Sequence, residues 1–358
     1  MTVRVLGLFD NRDEGGAGGV RRGPPAHPFP YGAQHLDGDG FELLRVNPAR
    51  RRLHRRVRDV VEHRTGMAVD RLVRSAREAA RADAVLAFLE REGVLASRLR
   101  ARGAWPVRHT PVVTLSCWWA DELVRGDARS REQIRRDAAG MDRLLVLSRN
   151  QVEIFADHGI PAERVVPVRF SVDSRWYAPD RTVPRDRDVV ALGVDRGRDF
   201  DTLVAAARLL PDARFDIVTQ RGRLDQRAMP GNVTLHDVVD ADAYLGWLRS
   251  ARVVAVPTHD LAYPTGQSVL LEASATGACV AVTRTAAMDE YYRDGETAVA
   301  LPLHDPPGVA GVLADVLGDD ARRDAIGASA RHAVEESFAY PGMWQQVRDT
   351  IRAVTTKR

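Results

Sequence analysis

The sequence predicts an α/β protein of two domains, each a parallel sheet covered by helices on both faces. Strand and helix patterns alternate from one end to the other, which is the arrangement of βαβ units. The chain has 358 residues, 44% of them hydrophobic, enough to fill two ordinary cores. A polar, proline-punctuated stretch without periodicity, residues 172–187, interrupts the alternation as a linker does.

The elements follow in chain order. Short, largely apolar runs at 3–9, 41–46, 84–88, 112–115, 144–147 and 164–168 read as candidate strands of a first domain, residues 1–171. A second set, at 189–192, 213–218, 233–235, 253–256, 280–283 and 298–301, builds a second domain over 188–338. Between the strands lie helical patterns, such as 202–210 with Leu203, Val204, Ala207 and Leu210 on one face. A last helix, within 339–358, carries Trp344, Val347 and Ile351 on one side and is expected to pack back on the first domain.

Composition excludes several functions. The formal net charge is only +3 although the pI is near 9.1, too little for a dedicated nucleic-acid binder. Lys357 is the only lysine, so nearly every cation is arginine, and the Ala- and Asp-rich usage suggests a GC-rich bacterial source. Cys117 and Cys279 stand alone in apolar contexts and imply neither a disulfide framework nor a thiolate metal site. The amino-terminal apolar run is too short for a signal peptide, and no run approaches the ~20 residues that span a bilayer. A soluble cytoplasmic protein is the expectation. The basic run from Arg50 to Val61 reads as the solvated face of a helix, with contact to an anionic membrane surface as its alternative.

Four segments carry chemistry. In the run from Tyr263 to Val282, a glycine-bearing loop meets Ser268, read as the cap of a short apolar helix that ends at Gly277. Backbone N–H groups at such a helix start face an anion, and Glu272 lies close enough along the helix to accept two hydroxyl groups. The loop after residue 192 presents Arg196 and Arg198, with Asp199 or Asp201 as the cap of the following helix. The glycines between Gly15 and Gly19 follow the first strand and permit close approach of backbone to phosphate or sugar. Trp118 and Trp119 follow the strand ending near Leu115, where open α/β sheets bind ligands. They read either as stacking surfaces for a sugar or as core. No Gly-x-Gly-x-x-Gly follows the first strand with an acidic residue beyond it, which argues against an NAD enzyme.

The run Leu270-Leu-Glu-Ala273, small residues, Gly277 and Val280-Ala-Val282, followed by Met288-Asp-Glu and Gly295-Glu-Thr297, resembles the signature of family 4 retaining glycosyltransferases. The resemblance extends to Gly159-Ile-Pro161 and Val172-Asp173 and covers roughly residues 110–340. It implies the GT-B fold, two Rossmann-like domains with parallel sheets facing across a cleft, and a nucleotide-diphosphate sugar as donor. By the same resemblance, Arg198 and Arg196 grip the diphosphate. Gly266, Gln267, Ser268 and Val269 meet it from the helix start, Val238 holds the base through its backbone, and Gly18 and Gly19 face the donor. Ser116 stands where the family has a histidine, and Ser116, Trp118, Trp119 and His27 are the implied acceptor contacts. The first acid of the family's two-glutamate pattern is Pro264 here, so Asp260 or Gln267 is expected to replace it.

No cofactor and no metal are expected. The acceptor implied is a natural-product-like small molecule, with a glycolipid second. The alternatives are a pseudoenzyme, a transferase-like coupling enzyme and a nucleotide-sugar 2-epimerase.

Overall fold

The computed structural model describes residues 2–9, 30–46, 49 and 51–356 of the chain. These fall into two compact units. One runs through Val168 and takes up the chain again from Met343, and the other is Arg169–Gly342.

In the first unit, β1 (Val3–Leu8) is followed by β2 (Phe41–Arg45), then by helices α1 (Arg52–Thr65), α2 (Asp70–Arg74) and α3 (Ala76–Arg81). The chain continues as β3 (Ala84–Phe88), α4 (Glu90–Ala101), β4 (Val112–Ser116), α5 (Trp119–Arg125), α6 (Ala128–Ala138), β5 (Arg143–Val146), α7 (Asn150–Asp157) and β6 (Val165–Pro167). The sheet is parallel with order β2-β1-β3-β4-β5-β6. Every residue of β3 and β4 is buried, as continuous apolar runs demand in a sheet covered on both faces.

The second unit repeats the plan. β7 (Arg187–Leu192), α8 (Phe200–Arg208), β8 (Phe215–Val218), β9 (Val233–His236), α9 (Ala241–Ser250) and β10 (Ala251–Val256) lead to α10 (Gln267–Ala275). β11 (Cys279–Thr283), β12 (Val299–Leu301), α11 (Pro306–Gly318) and α12 (Asp320–Ser337) follow, and α13 (Tyr340–Thr355) carries the chain into the first unit. The parallel sheet has order β12-β11-β10-β7-β8-β9. Strand order therefore reverses between β7 and β10. A crevice opens at such a switch point because the loops leaving the two strands turn toward opposite faces of the sheet.

Each of the twelve expected strands is present, most with ends shifted by one or two residues. The expected linker differs from expectation. Val172 and Tyr177 are buried, Val172 N–H donates to Phe338 O, and Arg249 reaches Ala178 O, so residues 169–186 pack within the second unit. The polar letters of this stretch hide two apolar anchors. In the first unit, Trp344, Val347 and Ile351 of α13 are fully buried. There the Trp344 indole donates to Tyr31 O and its ring lies 6.1 Å from that of Phe88.

Candidate functional site

The loops leaving β7 and β10 are stapled together at the switch point. His259 N–H donates to Gly197 O, and Asp199 N–H donates to Pro257 O. The Asp195 carboxylate accepts from Gly197 N–H at 2.7 Å, from the Thr265 hydroxyl at 2.8 Å and from the Tyr263 hydroxyl at 3.1 Å. Burial and the adjacent Asp195 charge push the Tyr263 phenol up, so it stays protonated and donates. Arg196 is exposed and hydrogen-bonds the same phenol. Arg223, which the sequence reading passed over, donates to Val194 O and Arg198 O and holds the carbonyl side of the loop.

Arg198 is 4% exposed. Its guanidinium fills the space that side chains would take at two glycines. A Cβ on Gly193 would lie 2.4 Å from Arg198 Nε, and one on Gly266 would lie 2.5 Å from Nη1. Gly266, with φ of 88°, is the residue that starts α10. A buried guanidinium thus lies against the helix end that carries the positive pole of the macrodipole. Two positive features placed together repel one another, and an anion between them relieves the repulsion and satisfies both.

The start of α10 corrects one expectation. Ser268 does not cap the helix. Gly266 occupies the cap with no side-chain hydrogen bond, and the first intrahelical bond runs from Leu270 N–H to Gly266 O. Glycine wins because the chain needs a left-handed turn there and Arg198 leaves no room for a Cβ. Gln267 and Ser268 are half-buried in the first turn and Val269 is buried. Glu272 is 3% exposed, and its Oε2 accepts from the Tyr244 hydroxyl of α9 at 2.5 Å. No local motif points to Tyr244. It lies 28 residues away on another helix, and only the packing of α9 on α10 brings it there. Asp260 and Val238 are both exposed, in the loops after β10 and β9 respectively.

Asp199 caps α8, as one of the two expected candidates. Its Oδ1 accepts from Thr202 N–H, and its Oδ2 accepts from the Thr202 hydroxyl at 2.7 Å. Two imidazoles, His259 and His304, face the same carboxylate. Ligand atoms of all three lie within 4.8 Å of one another, an arrangement able to hold a metal ion.

In the first unit Ser116, Trp118 and Trp119 share one hydrogen-bond partner at the turn after β4. Ser116 is fully buried and its hydroxyl donates to Glu90 Oε1 at 2.9 Å. The same oxygen accepts the N–H groups of Cys117, Trp118 and Trp119. Glu90, at the start of α4, therefore shapes the turn after β4, a role that no local motif announces. Trp119 is 7% exposed and belongs to the core, while Trp118 is half-buried. Gly18, Gly19 and His27 lie outside the described residues.

A glycosyl transferase-like family model matches residues 198–349, beginning at the buried arginine. The D-inositol 3-phosphate glycosyltransferase of Mycolicibacterium vanbaalenii is 28% identical over 294 residues, which is 70% of this chain and 62% of that relative. The protein of the same name from an Arthrobacter species is 33% identical over 145 residues, 40% of this chain and 33% of the relative. The chain thus spans less than two thirds of the length of these relatives. Among solved structures, Anabaena HepE in complex with UDP and glucose superposes with a TM-score of 0.71 at 12% identity, covering 98% of this chain and 100% of that one. Sucrose-phosphate synthase from Thermosynechococcus elongatus gives 0.64 at 17% identity, over 81% and 80% of the two chains. At these identities the structural likeness is one of fold.

Proposed function

We propose that the chain, similar to group 1 glycosyltransferases in sequence and to GT-B proteins in fold, transfers a sugar from a nucleoside-diphosphate sugar to an acceptor hydroxyl. The observation that carries this reading is the buried Arg198 set against the glycine start of α10. Cleaving a glycosyl–diphosphate bond builds negative charge on the leaving oxygen. A guanidinium and a helix N-terminus fixed in advance stabilise that charge without reorganising. Arg196, exposed one residue beyond Asp195, supplies a second cation to the same anion. Glu272, oriented by Tyr244, accepts a hydroxyl pair of the nucleotide ribose or the sugar.

The HepE complexes with UDP and UDP-glucose make a uridine-diphosphate hexose the first donor to test. In this reading departure of the diphosphate needs no metal and transfer retains anomeric configuration. The first unit takes the acceptor, a small natural-product-like molecule before a glycolipid. Glu90 and the half-buried Trp118 border the turn after β4 where that acceptor would lie.

The test is a thermal-shift and titration series with UDP, GDP, ADP and TDP on chelator-treated protein. One diphosphate at 100 times its dissociation constant stabilises the fold by about 2.7 kcal/mol. The expected result is a single preferred base, with affinity reduced at least tenfold in Arg198→Ala and in Glu272→Gln. Folded protein that responds to none of the four overturns the transferase reading and favours a pseudoenzyme.

A further inference from the structure

We propose that Asp199, His259 and His304 form a binding site for a divalent transition-metal ion of the zinc type. The three residues come from three loops. Asp199 lies after β7, His259 three residues after β10, and His304 three residues after β12. These strands are parallel members of one sheet, so their loops leave by the same edge.

The distances fit a metal polyhedron. Asp199 Oδ2 lies 3.0 Å from His304 Nδ1 and 3.9 Å from His259 Nδ1. Ligand atoms about 2.1 Å from a tetrahedral ion stand roughly 3.4 Å apart, between those two values. Two neutral imidazoles and one carboxylate suit zinc and its first-row neighbours, whereas magnesium and calcium prefer all-oxygen shells.

Two further features fit a built site. The Asp199 carboxylate, 6% exposed, has its orientation set by Thr202, whose N–H and hydroxyl both donate to it. Outer contacts of this kind aim a ligand and hold its lone pairs toward an ion. His304 has a φ of 53°, the left-handed region, which histidine enters more readily than most non-glycine residues. That turn brings its ring to 5.4 Å from the ring of His259. The imidazoles are about half exposed, so the remaining coordination positions open to solvent and an ion can enter.

The experiment uses the full chain, stripped with chelator and then titrated by calorimetry with zinc chloride and, separately, magnesium chloride. Cobalt substitution followed by visible absorption reports the ligand field. The expected result is one zinc ion per chain, no magnesium heat, and a d–d spectrum of low coordination number. His259→Gln and His304→Asn are each expected to weaken zinc at least tenfold. Both variants keep the Asp199 cap, and asparagine tolerates the left-handed backbone, so neither threatens the fold. No saturable zinc binding, or zinc affinity unchanged in both variants, overturns the proposal and leaves His304 as a hydrogen-bond partner of Asp199 and His259 as its neighbour. Glycosyl transfer is not part of the readout, so this failure is distinct from failure of the transferase reading.

Discussion

At the scale of single residues, the geometry of the site depends on atoms that are not there. Arg198 occupies the volume in which Gly193 and Gly266 would carry their Cβ atoms, and a Cβ at 266 would also meet Val256 Cγ1 at 2.6 Å. Gly266→Ala therefore combines a left-handed backbone with a collision. It is expected to cost about 1–3 kcal/mol in urea unfolding and to weaken nucleoside diphosphate at least tenfold. Gly277→Ala is the control. Gly277 is left-handed at φ of 73°, but its nearest foreign atoms lie 3.8 Å away. That variant should lose stability while keeping nucleotide affinity, and equal losses of affinity in the two would sink the argument. The sequence displayed Arg198 and both glycines, but it could not show that they touch. Glu90, Tyr244 and Arg223 were invisible for a related reason. Each acts on a partner at least 25 residues away, through contacts that leave no local pattern.

At the scale of elements, a carboxylate at the start of β7 ties together three neighbouring strands of the second sheet. Asp188 on β7 accepts Arg214 N–H ahead of β8 and the Arg252 guanidinium on β10. Burial alone would push this carboxyl up, but the Arg214 amide and the Arg252 guanidinium outweigh it and hold the group below the ordinary carboxylate range. A carboxyl depressed in the folded state adds stability above its unfolded value, near 4, and loses it as pH falls through the folded value. Asp188→Asn should therefore cost about 1 kcal/mol at pH 7, with the gap to the parent closing toward pH 3. Denaturant midpoints across that range decide it, and a gap that persists at pH 3 would assign the effect to packing.

The elements themselves were legible because parallel strands buried on both faces are largely apolar runs, as β3, β4 and β11 are throughout. Their ends and the helix caps were less legible. Ser268 and Gly266 both satisfy the local chemistry of a helix start, and the choice between them depended on where Arg198 lay.

At the scale of the whole molecule, the chain order and the unit order differ. The first unit is completed by residues from Met343 onward, after the second unit has been built. Trp344 contributes a fully buried indole there, and Arg348 pairs with Asp39 at 2.6 Å. Trp344→Ala should destabilise the first unit by about 3–5 kcal/mol. It should leave the arginine and glycine contacts of the second unit intact, and nucleoside-diphosphate binding with them. Tryptophan fluorescence alongside nucleotide titration separates the two, and joint loss would mean that the contacts of Arg198 depend on α13.

No helix among the described residues is long and apolar enough to cross a membrane. By itself the sequence determined the α/β class, the two sheets, the resemblance to GT-B transferases and the positions of Arg198 and Gly266, because periodicity and local motifs are written in adjacent letters. Only the tertiary structure decided that Gly266 rather than Ser268 starts α10, that the 172–187 stretch is packed, that Tyr244 meets Glu272 and Glu90 meets Ser116, and that Asp199, His259 and His304 meet. Those outcomes depend on distances between segments, and such distances are set by the strand order of each sheet and the volume its side chains leave.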